Sequence, residues 1–132
     1  MSNTLFELKK EEKYVLLKLL AAKIDASNAL ELKQIFLGFK ENRSAKNLIL
    51  NLSGVKYIDS SGLSAVLVAN KVCTEAGGIM ILCGVSEHVM KLVKISQLDK
   101  ILDILPTEEE AVDAVFMKEL EKEFGAEDEV VE

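Results

Sequence analysis

NLILNLSGVKYIDSSGLSAVLVANKVCTE, residues 47–75, divides into three parts. Residues 47–52 are a short, nearly continuous apolar run, which suits a strand buried on both faces. Residues 53–60 read as a loop. Residues 61–75 read as a helix. Asp59, Ser60 and Ser61 stand where the N-cap falls, and their oxygens can satisfy the orphan N–H groups of the helix start. Gly62 either lets another backbone approach closely or relieves a tight turn. The helix carries Leu63, Ala65, Val66, Leu67, Val68, Ala69, Val72 and Cys73, so it is apolar nearly all round. A helix lying on a sheet needs only one apolar stripe. The surplus predicts apolar surface that is bare in the monomer and covered by a partner, with Leu63, Val66 and Leu67 as contact residues.

Upstream, residues 4–9 and 14–24 read as two strands of a hairpin. Ser27 or Asn28 can cap a helix over 28–42, which carries Leu32, Ile35, Phe36 and Phe39 on one face. Downstream, Gly77-Gly78 turns the chain into a second buried strand at 79–83. Ser86 is placed to cap a helix at 87–96, and residues 101–104 form a last strand. Pro106-Thr107 stops it, and Thr107-Glu108-Glu109-Glu110 opens a terminal helix as a capping box. That helix carries Val112, Phe116, Leu120 and Phe124 every four residues. Gly125 is expected to end it, with 126–132 fraying. Strands and helices alternate after the hairpin. The fold class is therefore α/β, with a mixed, mostly parallel sheet of about five strands, the first antiparallel to the second, and four main helices. Residues 1–117 make one domain, and 118–132 are an acidic extension of the last helix.

With 132 residues, 49% hydrophobic and 29% charged, the chain has the composition of one folded domain. Cys73 and Cys83 lack a CxxC context, so neither a zinc site nor a disulfide is expected. No basic-then-apolar leader is visible at the start, and the apolar runs are too short to span a bilayer. A cytoplasmic protein with no membrane association is the expectation. Residues 107–132 hold 11 acids and two lysines; residues 1–106 hold 11 acids and 14 bases. The acidity belongs to the tail, which reads as a solvated helix face. A weakly basic body with few aromatics gives little support to nucleic-acid binding. His88 is the only histidine, has no Cys or His neighbour, and reads as a surface residue. Neither GxGxxG nor a P-loop occurs, and no cofactor or metal is expected. Met80, Met90 and Met117 read as packing residues.

A hydroxyl at the N-terminus of an apolar helix is suited to switching. A phosphate there is favoured by the helix dipole and free N–H groups, so the fold tolerates it. It also brings about −1.5 to −2 charges to the edge of a contact face, which a docked partner must desolvate.

Residues 48–67 resemble the signature strand, loop and helix of the anti-sigma-factor antagonists, the STAS domain family, with Asp59-Ser60-Ser61-Gly62 at the DSSG motif. Ala22-Lys23-Ile24-Asp25 is similar to the end of the family's second strand, residues 89–105 to its third helix and last strand, and residues 108–112 to the start of its last helix. The resemblance covers about residues 4–117. Ala22, Asn51 and Gln97 depart from it, standing where the family often has Gly, Asp and a helix-ending Gly. The resemblance implies that Ser61 is phosphorylated by an anti-sigma factor serine kinase, and that the unphosphorylated protein binds this kinase and frees the sigma factor. It also implies that a phosphatase resets the switch, that Asp59 orients the hydroxyl or the loop, and that Asp25 lines the same face. The protein is then a regulator of transcription and no enzyme; a homodimer stays open. Two other readings stand beside it. One is an unphosphorylated STAS scaffold in a stress-sensing or lipid-transport complex. The other is a receiver-like domain or small α/β enzyme, against which Asp25 lacks an acidic neighbour and the last strand ends Leu105-Pro106 without a lysine.

Overall fold

The computed structural model describes residues 5–42 and 46–131. Strands β1 (Phe6–Lys10), β2 (Val15–Leu19), β4 (Leu48–Asn51), β6 (Met80–Cys83) and β7 (Asp103–Leu105) form one sheet in the order β1-β2-β4-β6-β7. β1 runs antiparallel to β2, and the other neighbours are parallel, with Leu17, Leu50 and Leu82 in register across the centre. Strands β3 (Lys23–Ile24) and β5 (Tyr57–Ile58) make a separate parallel pair. The helices are α1 (Ala29–Asn42), α2 (Ser60–Glu75), α3 (Glu87–Ile95) and α4 (Glu108–Val131).

Period-two alternation divides the core between the two faces of the sheet. Leu48, Leu50, Met80 and Leu82 point to the side of α1, α2 and α3, packing with Phe36, Val66 and Val89. Ile49, Ile81 and Cys83 point the other way, onto Ala111 and Val115 of α4. That explains why β4 and β6 read as unbroken apolar runs: both of their faces are covered.

The single strand expected over 14–24 is two. The chain leaves the main sheet after Leu19, and Ala22 accepts from the backbone N–H groups of Lys56 and Tyr57 at 2.8 and 3.1 Å, which starts the β3–β5 pair. The expected helix caps at Ser86 and Thr107 are in place: Ser86 Oγ accepts from Val89 N at 3.3 Å and Thr107 Oγ1 from Glu110 N at 3.1 Å. At the start of α1 the cap is different. Asn28 turns its side chain back, donating to the Lys23 carbonyl and accepting from Asp25 N at 3.0 Å. Nor does Gly125 end α4, which continues to Val131. Gln97 has φ 63°, a left-handed conformation that costs a side-chain-bearing residue about 1–2 kcal/mol. Gln97→Gly is therefore expected to raise stability by about 1 kcal/mol in a urea titration.

Two buried asparagines tie α4 to the sheet. Asn47, 2% exposed, donates to the Lys13 carbonyl at 2.9 Å and to Glu119 Oε2 at 3.0 Å, and accepts from Ile79 N at 3.0 Å. Asn51 donates to Glu108 and accepts from Ser53 N at 2.8 Å. An aspartate at 51 would set two carboxylates against each other; the amide donates instead. Asn47→Leu removes the partners of the part-buried Ile79 N–H and Lys13 carbonyl, and is expected to cost about 1–3 kcal/mol by the same titration. The Asn47 amide holds the Glu119 carboxyl below its ordinary value, ahead of the nearby Lys46, Lys122 and Lys13. Its contribution to stability is present above the unfolded carboxyl value and fades as pH falls through the folded one. Glu119→Gln should flatten that part of the acid limb.

Candidate switch site

The β3–β5 pair builds the site. Ile24 and Ile58 are in parallel register, so the next residues, Asp25 and Asp59, emerge side by side at one end. Asp59 N donates to the Ile24 carbonyl at 3.2 Å. Asp59 then caps α2, its Oδ1 accepting from Gly62 N at 3.0 Å. One of the orphan donors of the helix start is thereby satisfied. The helix begins at Ser60, one residue earlier than expected. Ser60 is exposed, Ser61 half-buried and Gly62 buried. Among the described residues neither serine hydroxyl has a hydrogen-bond partner, so Asp59 holds the loop and not a hydroxyl.

Gly62 answers to close approach. A Cβ there would lie 2.7 Å from the Ile24 carbonyl oxygen and 2.9 Å from Ile24 Cγ2, and nearer still to Ile58 Cγ1. The first turn of α2 sits directly on the β3–β5 pair because that side chain is absent. Asp25 closes its own turn: its Oδ1 accepts from Ser27 N at 3.0 Å and Ser27 Oγ at 2.6 Å. Those two bonds, the hydroxyl's first, hold its carboxyl below the ordinary value.

Beside Asp59 and Ser60 a cleft of about 300 Å³ opens against α3, lined also by Tyr57, His88, Lys91, Leu92 and Ile95. The Tyr57 and His88 rings stack at 5.8 Å and 26°. Ile95 is 72% exposed, the most of any large apolar side chain described.

A family model described as the STAS domain matches residues 6–111. The chain belongs to the STAS domain family. It is 33% identical over 72 residues to an anti-sigma F factor antagonist of Paenibacillus polymyxa, a match covering 54% of this chain and 62% of that protein, less than two thirds of its length. Among solved structures it is similar to a Thermotoga maritima protein described provisionally as an anti-sigma factor antagonist, with 28% identity and TM-score 0.73, covering 83% of this chain and 93% of that one. The Bacillus cell-fate determinant SpoIIAA in its phosphorylated form shares the fold, with 24% identity and TM-score 0.66 over 83% of this chain and 98% of that one.

In this STAS domain the apolar surplus of α2 is not bare. Leu63 and Val66 are 6% and 1% exposed and belong to the main core, so the contact role expected of them is corrected. The sheet covers one side of α2 and α1 the other, through Leu32 and Phe36. Leu67 is half-buried against the same core. The exposed apolar surface next to the motif belongs to α3 and Tyr57. The sequence carried a signal for it: Val89 and Val93 occupy one face of α3, while His88, Leu92 and Ile95 repeat on another at helical spacing.

The cysteines offer no nucleophile, since burial pushes the Cys73 thiol up to about 12 and, with Glu108, that of Cys83 up to about 11. Among the described residues no cluster of His, Cys, Asp and Glu could hold a metal ion, and no helix is long and apolar enough to cross a membrane.

Proposed function

We propose that this STAS domain is an anti-sigma-factor antagonist acting as a phosphorylatable switch, with Ser61 as the acceptor. The observation that carries this reading is the state of the motif: a capped helix start whose serine hydroxyls are unengaged, with Asp59 and Ser60, the residues just before Ser61, lining an exposed, largely apolar cleft. The names of its relatives support the same reading. Unphosphorylated, the loop 59–62 and the α3 face, with Tyr57, Leu92 and Ile95, dock on an anti-sigma factor serine kinase, and the sigma factor is released. Phosphate on Ser61 is stabilised within the domain by the helix N-terminus. At the interface it is a charge to be desolvated, so the fold persists while the complex dissociates. A phosphatase restores the hydroxyl. The protein is a substrate and binding partner in the cytoplasm, with no catalysis, cofactor or nucleic acid in its own part of the cycle.

Ser61→Ala should bind the kinase as well as the native chain does and accept no phosphate, leaving the sigma factor permanently free. Failure of the native chain to bind any anti-sigma factor kinase would sink the reading. Ile95→Glu tests the docking face: kinase affinity should fall about tenfold or more, with stability unchanged within about 0.5 kcal/mol because the side chain is solvated.

A further inference from the structure

Helix α4 has two unlike faces. Its inner face is fully engaged: Ala111 and Val115 are buried on the sheet, Glu119 bonds to Asn47, and Lys122 Nζ donates to the Gly77 carbonyl. Lys118 borders the cleft under α4 with Asp99 and Asp103, and pairs with Glu121 at 4.0 Å. Both lysines of the helix are thus spent on its flank and inner side. The outer face carries Phe116, Met117, Leu120 and Phe124, exposed at 44%, 58%, 46% and 58%. At helical spacing these four fall in one stripe. Single exposed apolar residues are ordinary, but a row of four large ones on a solvated helix marks a contact surface.

Charge selects the occupant. The exposed charged residues around the stripe are Glu109, Glu110, Asp113, Glu121 and Glu123; Lys118 and Lys122, also exposed, fall away from it at helical spacing. Two copies joined through this face would set acids against acids, and an anionic membrane would be repelled in the same way. We propose that the outer face of α4 docks an amphipathic helix of another protein, with an apolar stripe at i, i+3, i+4 and i+7 and a rim of Lys or Arg. Apolar knobs then fill the stripe, and the basic rim meets the carboxylates. The α4 face lies on the opposite side of the sheet from α1, α2 and α3. A partner there leaves the Ser61 loop and the α3 cleft open, so both can be engaged at once. The inference stands independently of the phosphorylation switch.

The test uses the full chain and a labelled peptide of about 18 residues, built from Leu and Lys at helical spacing, followed by fluorescence anisotropy. Two further peptides are controls: a scrambled one of the same composition, and one with Glu for Lys. The helical Leu/Lys peptide should bind, weaken with salt, and bind at least about tenfold less well to Leu120→Asp and to the double variant Glu121→Gln, Glu123→Gln. The scrambled and Glu peptides should bind at least about tenfold less well to the native chain. Circular dichroism should show both variants folded, since every altered side chain is exposed. Equal binding of the scrambled peptide would reduce the effect to bulk charge and overturn the proposal. Unchanged binding to Leu120→Asp would do the same. A native chain that sediments as a dimer, and becomes monomeric on Leu120→Asp, would assign the face to a second copy instead.

Discussion

Ser61→Asp is expected to weaken binding to the anti-sigma factor kinase by roughly tenfold to a thousandfold while the fold persists. The two halves of that result have separate causes. Residue 61 lies in the first turn of α2, where the Asp59 side chain takes only the Gly62 N–H and a helix start leaves its earliest N–H groups without intrahelical partners. An acid there interacts favourably with the helix dipole, by about 0.3–1 kcal/mol, so the melting temperature should hold or rise slightly. On the proposed contact face the same charge must give up its water, and that desolvation is the cost the binding measurement reads. Calorimetric titration against the kinase, paired with thermal melts of the free domain, reads both halves. Binding of Ser61→Asp at native affinity would mean that the contact face does not include residue 61.

Gly62→Val is expected to be the most damaging change to stability near the site. Its Cβ would meet the Ile24 carbonyl oxygen at 2.7 Å, and backbone cannot yield as a flexible side chain does. Seating it requires the first turn of α2 to lift off the β3–β5 pair. That movement also stretches the 3.0 Å bond between Gly62 N and the Asp59 carboxylate. Overpacking of this kind costs about 1–3 kcal/mol, and the lost cap adds about 1 more. A urea titration should show a loss of about 3 kcal/mol, and Gly62→Ala a smaller loss in the same direction. If Gly62→Ala unfolds with the native midpoint, the close packing of α2 on Ile24 and Ile58 is not what the glycine is for.

The parts of this fold that were legible in the sequence are those written in local chemistry. The apolar runs of β4 and β6, the caps at Ser86 and Thr107, and the Asp59-to-Gly62 helix start all follow from a few adjacent residues. What was not legible depends on which elements meet. The apolar surplus of α2 looked like an empty interface because nothing in residues 60–75 says that α1 covers the far side. In α4 the spacing of Val112, Phe116, Leu120 and Phe124 does not say which side faces the sheet. The helix seats itself by two small side chains, Ala111 and Val115, and by polar ties from Glu108 and Glu119 to the buried Asn51 and Asn47. Met117, expected in packing, is 58% exposed for the same reason. Gly125 does not break α4, because one glycine in a helix costs only about 1 kcal/mol. At the site, Asp59 and Gly62 have roles that sequence chemistry foresaw in kind. Asp25 bonds within its own turn, and the exposed apolar surface beside the motif lies on α3 and not on α2, because burial is decided by neighbours distant in the chain.

The central claim is that Ser61 is the switch, and mapping the phosphate tests it most directly. The purified chain is incubated with its cognate anti-sigma factor kinase and ATP, then digested and sequenced by mass spectrometry. The expected result is one phosphate on Ser61, retained in Ser60→Ala and absent in Ser61→Ala. Phosphate on the more exposed Ser60, or on neither serine, would contradict it.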